Sequence, residues 1–143
     1  MILSKKEQKL REFCIEGNLE LYRNELEIIF NEIEVAGCMI SARTDEHSSQ
    51  HIFEKDGCRI RISLQKKYKN PLDIIWTILH EFGHHLSGKS TVPTFTREQK
   101  IERENQAWDY AEIELLKHSV LLEKIKDFHN FKNACLNSYL QNY

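Results

Sequence analysis

The chain contains little of what builds flexible linkers or membrane spans. It has only two prolines and five glycines among 143 residues, so no stretch is typical of a long linker. Its longest apolar runs are far too short to cross a bilayer, and its N-terminal segment lacks the apolar run of a signal peptide. We therefore expect a single domain over residues 1–143, located in the cytoplasm and not associated with a membrane.

The chain also lacks a strong excess of charge of either sign. Its formal net charge is −2 and its pI is about 6.4, which excludes the global basic field that attracts nucleic acid or anionic membranes. Local basic clusters lie at Arg59–Arg61 and Lys66–Asn70, and both are typical of solvated faces. We expect no direct binding of nucleic acid, and strongly salt-dependent DNA binding would reverse that expectation.

The four cysteines lie far apart in the sequence and form no C-x-x-C pair. They are Cys14, Cys38, Cys58 and Cys135. Because no export signal is evident, we expect reduced thiols. One disulfide remains an alternative, and Cys38 with Cys58 is the pair that we would expect, since the two could lie near each other in a sheet.

Capping signals and apolar residues at helical spacing predict that most of the chain is helical. Ser4–Glu7 and Thr96–Gln99 are capping boxes, which open helices. Gly17, Gly37 and Gly88 each follow an apolar periodic segment and end a helix. The predicted helices cover residues 4–17, 19–36, 70–87, 96–117 and 119 to near the C-terminus.

Three segments between the second and third helices have the residue pattern of β-strands. Residues 38–43 form the first, and residues 51–55 and 58–65 flank Asp56–Gly57, a good two-residue hairpin turn. In the last strand alternate residues are apolar, so one face should be covered and the other wetter. The order of elements predicts an α+β fold, in which a small antiparallel β-sheet packs against the third helix and further helices.

The third predicted helix carries the sequence HEFGH at residues 80–84, which matches H-E-x-x-H. Residues four apart project from one face of a helix, so His80 and His84 can reach one metal ion. Zinc favours nitrogen ligands and keeps a position open for water in catalytic sites. Glu81 can take a proton from that water and later return it to a leaving amine. The alternative is two hydrogen-bonded core histidines beside a surface glutamate.

Two further residues of this helix, His85 and Gly83, allow predictions about their surroundings. His85 lies about 100° around the helix from His84, so we expect it to face solvent or to support the ligands, and not to bind the same ion. Gly83 costs about 1 kcal/mol relative to alanine in a helix interior. A strand or the next helix should therefore pass close to its backbone.

The helix predicted over residues 96–117 supplies a third metal ligand. Its apolar stripe continues through Trp108 and Ala111, and Glu104 falls on that stripe. A buried carboxylate is costly unless it is paired or bound to metal. Glu104 is therefore the predicted ligand and Glu102 the reserve candidate, while pairing of Glu104 with an arginine, or its exposure to solvent, is the alternative.

These residues resemble a known family. HEFGHHLSG at residues 80–88, followed by ERENQAWDYA at residues 102–111, is similar to the motifs of ImmA/IrrE-type metallopeptidases, zincins whose third ligand is a glutamate. In that family H-E-x-G-H often precedes E-x-E-A-x-x-F-A. Glu104 takes the first acidic place and Ala107 the alanine. Gln106 stands where a second acid is often found, which removes a possible supporting carboxylate.

The resemblance, which covers about residues 59–116, implies a function. It implies a zinc-dependent endopeptidase that acts on a specific intracellular protein, such as a transcriptional repressor or a stress regulator. It also implies that His80, His84 and Glu104 bind the ion. Glu81 would then serve as general base and afterwards as general acid.

Several questions stay open at this point. An extended substrate would pair with one of two strands, 38–43 or 51–55. A catalytically inactive interaction or sensor module that keeps zinc for its structure is the alternative function. Manganese or iron could occupy the same three ligands, and the oligomeric state is not predicted. The candidates for stabilising the oxyanion are Tyr68, His85, Tyr110 and His118.

Overall fold

The computed structural model describes residues 3–43, 49–54, 57–64, 68, 70–88 and 95–142. Asp56 of the predicted hairpin turn and most of the basic cluster at 66–70 lie outside the described residues. The α+β fold class is confirmed. In chain order the elements are α1 (Lys5–Glu16), a 3-10 turn (Glu20–Tyr22), α2 (Arg23–Val35), β1 (Cys38–Arg43), β2 (Gln50–Glu54), β3 (Gly57–Ser63), α3 (Leu72–Leu86), α4 (Arg97–Leu115), α5 (Ser119–Leu122) and α6 (Ile125–Asn142).

Helix α4 begins at a complete capping box, as its sequence predicts. The Thr96 hydroxyl accepts a hydrogen bond from the Gln99 backbone N–H at 3.2 Å, and the Gln99 side chain accepts one from the Thr96 N–H at 2.9 Å. Ser4 likewise accepts from the Glu7 N–H at the start of α1. These bonds satisfy donors that a helix start leaves without an intrahelical partner. The start of α4 matters because Glu104 lies two turns further on.

The three described strands form a mixed sheet in the order β1-β3-β2. The antiparallel prediction is correct for the β2–β3 hairpin and wrong for β1, which runs parallel to β3 with Cys38 opposite Cys58. Strands that follow each other in the chain are often neighbours in a sheet, but β1 and β2 are not. Instead β3, with its buried alternate residues Cys58, Ile60 and Ile62, takes the central position, where both of its edges are paired.

The sheet carries the one disulfide among the described residues, and it joins Cys38 to Cys58. This is the pair that the sequence offered as the alternative to reduced thiols. The parallel register places the two residues directly opposite each other on adjacent strands, with Cα atoms 4.7 Å apart. Cys14 and Cys135 are not part of a disulfide.

Helix α3 is the centre of the fold. Ten of its fifteen residues are buried, because it packs against β3 and β2 on one side and against α4 and α6 on others. The rings of Trp76 on α3, Trp108 on α4 and Phe128 on α6 meet edge to face, at centroid distances of 5.5 and 5.7 Å to Phe128. Neither α3 nor any other described helix combines the length and apolar character needed to cross a bilayer.

A pair of carboxyl groups lies where α2 meets the end of α4. Burial, together with the hydrogen bond and charge of Glu114, raises the pKa of Glu32 to about 7. Burial acts in the same direction on Glu114, but hydrogen bonds from Glu32 and Lys117 outweigh it and lower its pKa. Below about pH 7 the pair therefore holds one proton, which resides on Glu32.

This arrangement predicts a stability that depends on pH. An unfolded glutamate titrates near about 4.3, so between that pH and about 7 the folded chain holds a proton on Glu32 that the unfolded chain has lost. The free energy of unfolding should therefore fall as pH rises through this window, by on the order of 1 kcal/mol, since Glu32 is partly exposed. Glu114, whose pKa is lowered, contributes stability above the pKa of an unfolded glutamate. That contribution is lost only as the pH falls below this range.

The measurement is urea unfolding between pH 5 and pH 8. Glu32→Gln, which needs no proton to be neutral, should remove this part of the slope. Glu34→Gln, on the exposed side of the same helix, should keep the wild-type slope. Equal slopes for the wild type and Glu32→Gln would show that Glu32 takes up no proton on folding.

Candidate metal centre

The second half of α3 and the middle of α4 bring the predicted ligands together. His80 Nε2 lies 2.8 Å from Glu104 Oε2, and His84 Nε2 lies 3.3 Å from Glu104 Oε1. Ligand atoms bound to one tetrahedral zinc ion at 2.0–2.1 Å are about 3.3 Å apart. Both separations are hydrogen-bond or ion-pair distances close to that spacing, and the role of the three residues as ligands stays a prediction.

The geometry of α3 explains why the two histidines meet. Their rings lie on one helix face with centroids 4.7 Å apart. One ligand atom from each of His80, Glu81 and His84 lies within 4.8 Å of the other two. The His80 ring also stacks on the Trp108 indole, with centroids 4.2 Å apart and planes inclined by 10°. Trp108 belongs to α4, so the helix that supplies Glu104 also fixes the plane of His80.

Gly83 allows α4 to approach closely enough to deliver Glu104. A Cβ atom on Gly83 would lie 2.8 Å from the carbonyl carbon of Ala107 and closer still to its oxygen. Ala107 is about one helical turn from Glu104, so this contact determines how closely the Glu104 carboxylate approaches His80 and His84. The expectation that a helix or strand passes close to Gly83 is confirmed, and the element is α4.

Gly83→Ala should therefore separate α3 from α4 and weaken zinc binding. Alanine gains about 1 kcal/mol in helix propensity, but overpacking costs about 1–3 kcal/mol and the contact here is with rigid backbone. We expect a net loss of stability of roughly 1–2 kcal/mol in urea unfolding, together with a lower zinc affinity in a chelator competition. Asn105→Ala, on the exposed side of α4, should leave both unchanged, and a fully stable Gly83→Ala that binds zinc normally would contradict the close-contact account.

The two carboxyl groups of the cluster, Glu81 and Glu104, have pKa values that are shifted in opposite directions. Burial raises the pKa of Glu81, and the charge of Glu104 raises it further, although His80 and His84 act in the opposite direction. Burial also disfavours ionisation of Glu104, but hydrogen bonds from both histidines outweigh it and lower its pKa to about 2. Glu104 is therefore anionic, as a metal ligand must be, while Glu81 holds a proton more readily and suits general acid–base chemistry.

The alternatives that the sequence left open are resolved in part by position. Glu81 is 7% exposed, so it is not the surface glutamate of the core-histidine alternative. Glu104 pairs with the two histidines, and neighbouring Arg103 donates to the Gly88 carbonyl instead. Glu102, the reserve ligand, is exposed.

His85 does not join this cluster, in agreement with its angle on the helix, but it does not face solvent either. Its Nε2 lies 2.8 Å from the Ala36 carbonyl oxygen, and its ring lies 5.6 Å from the ring of His51 on β2. The residue is turned toward the sheet. The sequence offered one signal for this environment: in β2, His51 and Phe53 alternate onto the face that the helices cover.

The candidates for stabilising the oxyanion lie in different places. His118 is buried with its Nε2 3.4 Å from a Glu32 oxygen, and Tyr110 is exposed on α4. The Tyr68 hydroxyl donates to the Ser63 carbonyl at 2.8 Å. Burial raises the pKa of Tyr68, and the charge of Glu81 contributes to the shift. The role of Tyr68 in stabilising the oxyanion stays a prediction.

Comparisons of the chain with protein-family models, with curated proteins and with solved structures found no match. The resemblance to ImmA/IrrE-type metallopeptidases therefore depends on the two sequence motifs. The close approach of α3 and α4 at Gly83 and Ala107, which are positions of those motifs, is an independent observation of this chain.

Proposed function

We propose that the protein is a zinc-dependent endopeptidase that hydrolyses peptide bonds of a specific protein partner. The observation that carries the proposal is the convergence of two imidazoles and one carboxylate with a buried glutamate beside them. His80, His84 and Glu104 supply three ligands, which is the number typical of catalytic zinc sites, where a fourth position remains for water. A structural zinc site is usually closed by four protein ligands.

Glu81 is the general base in this proposal. His80, His84 and Glu104 would hold the zinc ion, which acts as a Lewis acid and lowers the pKa of water when bound. Glu81 accepts a proton from the attacking water as the new C–O bond forms at the peptide carbonyl. It then delivers that proton to the amine nitrogen as the C–N bond breaks. Its raised pKa favours the uptake of the proton.

The substrate is proposed to bind in an extended conformation along β2. Both β1 and β2 are edge strands in the order β1-β3-β2, so each has one edge that no described strand occupies. Helix α3, which carries the ligands, packs against β2, whereas β1 packs against α2. A peptide paired with β2 through backbone hydrogen bonds would therefore run beside the metal centre.

The partner and the location follow from the resemblance. We place the protein in the cytoplasm and propose a transcriptional repressor or a stress regulator as its substrate. The weak net charge of −2 gives no reason to add direct nucleic-acid binding. The oligomeric state is not part of the proposal.

One observation favours the alternative of an inactive zinc module. Glu81 is close enough to His80 and His84 to serve as a ligand itself, and a fourth protein ligand would close the site to water. Against this, the Glu81 carboxylate approaches His80 from the Nδ1 side, at 3.6 Å, whereas Glu104 approaches from the Nε2 side. This geometry argues against a ligand role for Glu81.

A library of proteome-derived peptides tests the proposed activity. Zinc-loaded protein should generate new peptide termini at defined sequence positions, as measured by mass spectrometry. A chelator should abolish the cleavage, and added zinc should restore it. If protein that contains zinc at His80, His84 and Glu104 cleaves neither the library nor folded transcription regulators, the inactive module is the better account.

A further inference from the structure

A second cluster of metal-ligating side chains lies between the sheet and α3. It contains Cys38 on β1, His51 on β2, Cys58 on β3 and His85 on α3. One ligand atom from each residue lies within 4.8 Å of the other three. Two cysteines and two histidines are one of the ligand sets that structural zinc sites use. The cluster shares no residue with the site formed by α3 and α4.

The strand register brings these side chains to one face. Cys38 is opposite Cys58 in the parallel pair, and His51 is opposite Ile60 in the antiparallel pair. Since directly opposed residues point to the same side of a sheet, and Cys58 and Ile60 are two residues apart, all of these side chains face the helices. His85 reaches the same region from the last turn of α3. The cluster thus joins four separate elements.

The two histidines leave buried nitrogen atoms unused. His51 Nε2 and His85 Nδ1 are buried and have no hydrogen-bond partner among the described residues. Such an atom is costly unless it finds a partner. The partner of His85 Nε2, the Ala36 carbonyl oxygen, can only accept, so Nε2 donates, and in the neutral ring Nδ1 has a lone pair. Metal-binding histidines commonly have this arrangement, with one nitrogen held by a carbonyl and the other facing the ion.

The position of His51 is restricted by neighbouring rings. Its ring lies 4.6 Å from the Phe53 ring and 5.6 Å from the His85 ring, which restricts its orientation.

We propose that Cys38, His51, Cys58 and His85 form a second metal site, which binds a structural zinc ion when the two cysteines are reduced. Thiolate and imidazole ligands in a tetrahedral set favour zinc over magnesium, calcium or manganese. With four protein ligands the site has no open position for a substrate or water. The bound ion would link β1, β2 and β3 to α3, next to the residues of the proposed peptidase site.

The disulfide and the zinc ion are alternative cross-links at one place. In the oxidised chain Cys38 and Cys58 are bonded to each other. A dithiol reductant supplies two electrons, the S–S bond breaks, and the reductant becomes a disulfide. The two cysteine thiols then each release a proton as their sulfur atoms bind zinc. In a reducing cytoplasm we expect the zinc form.

Cobalt(II) distinguishes this site from the first one, because only the second site contains sulfur. Reduced protein loaded with cobalt should show a thiolate-to-metal charge-transfer band in the near ultraviolet, and it should bind about two ions per chain. Replacement of both Cys38 and Cys58 by serine should abolish the band, whereas Cys135→Ser, which changes a cysteine outside the disulfide and the cluster, should keep it. Oxidation of the wild type with diamide should remove the band and release about one ion, without any substitution that might affect folding.

Absence of the band from reduced, folded wild-type protein would overturn the proposal, as would a band that survives the replacement of both Cys38 and Cys58 by serine. The result is independent of peptidase activity. Glu104→Ala should lose the ion of the first site and retain the band. A protein that holds both ions and cleaves nothing would contradict the proposed activity and leave the second site established.

Discussion

Glu81→Gln is expected to lower kcat/KM for a cleaved peptide by about 10²–10⁴-fold, the usual contribution of a positioned general base. Glutamine has nearly the same shape, so it fits the buried position, where Glu81 is 7% exposed. Its neutral amide cannot accept the proton of the attacking water. The zinc content should remain that of the wild type, because Glu81 is not among the proposed ligands.

The comparison requires rate and zinc content from the same protein sample. Glu102→Gln is the matched control, since it makes the same chemical change at an exposed position of α4, and it should cleave at the wild-type rate. Wild-type cleavage by Glu81→Gln would remove Glu81 from the mechanism. Loss of zinc in Glu81→Gln would instead indicate that Glu81 is a ligand, as the inactive-module alternative requires.

Glu104→Gln is expected to lower zinc affinity by more than about 100-fold. Substitution of residues that merely orient a ligand already costs about 10–100-fold in affinity, and Glu104 is proposed to bind the ion itself. The amide removes the negative charge that the hydrogen bonds from His80 and His84 stabilise, which is also the reason why the pKa of Glu104 is about 2. Activity should fall in parallel with zinc content.

Competition with a chromophoric chelator measures this affinity. The oxidised chain is the correct sample, because its Cys38–Cys58 disulfide prevents the second site from contributing. Glu102→Gln again provides the control and should bind zinc as tightly as the wild type. If Glu102→Gln lost zinc while Glu104→Gln kept it, the reserve candidate would be the ligand and the position of α4 would have to differ.

The arrangement of α3 and α4 could be anticipated because helical periodicity is a local property. Residues four apart lie on one face of a helix, so His80 and His84 share a face. Glu104 lies on the same stripe of its helix as buried Trp108 and Ala111. A charged residue on a buried stripe requires a partner. Gly83 predicted that another element passes close to the backbone of α3, although the sequence did not indicate which element.

The sheet order and the second cluster could not be anticipated in the same way. Alternation along a strand shows which residues share a face but not which strand lies next to it. The parallel pairing of β1 with β3 places Cys38 opposite Cys58, and His85 reaches them from a helix that begins after both strands. The four residues of the second cluster come from four separate elements, so no sequence spacing marks them as a set. From the sequence, His85 could be predicted only to lie outside the first site.

The most direct test of the proposed zinc centre is a crystal structure of the zinc-loaded protein with anomalous scattering recorded at the zinc edge. The proposal predicts a peak about 2.0–2.1 Å from His80 Nε2, His84 Nε2 and a Glu104 carboxylate oxygen, with water as the fourth ligand. A fully loaded crystal without a peak between these three residues, or a peak with Glu81 as the fourth ligand, would contradict it.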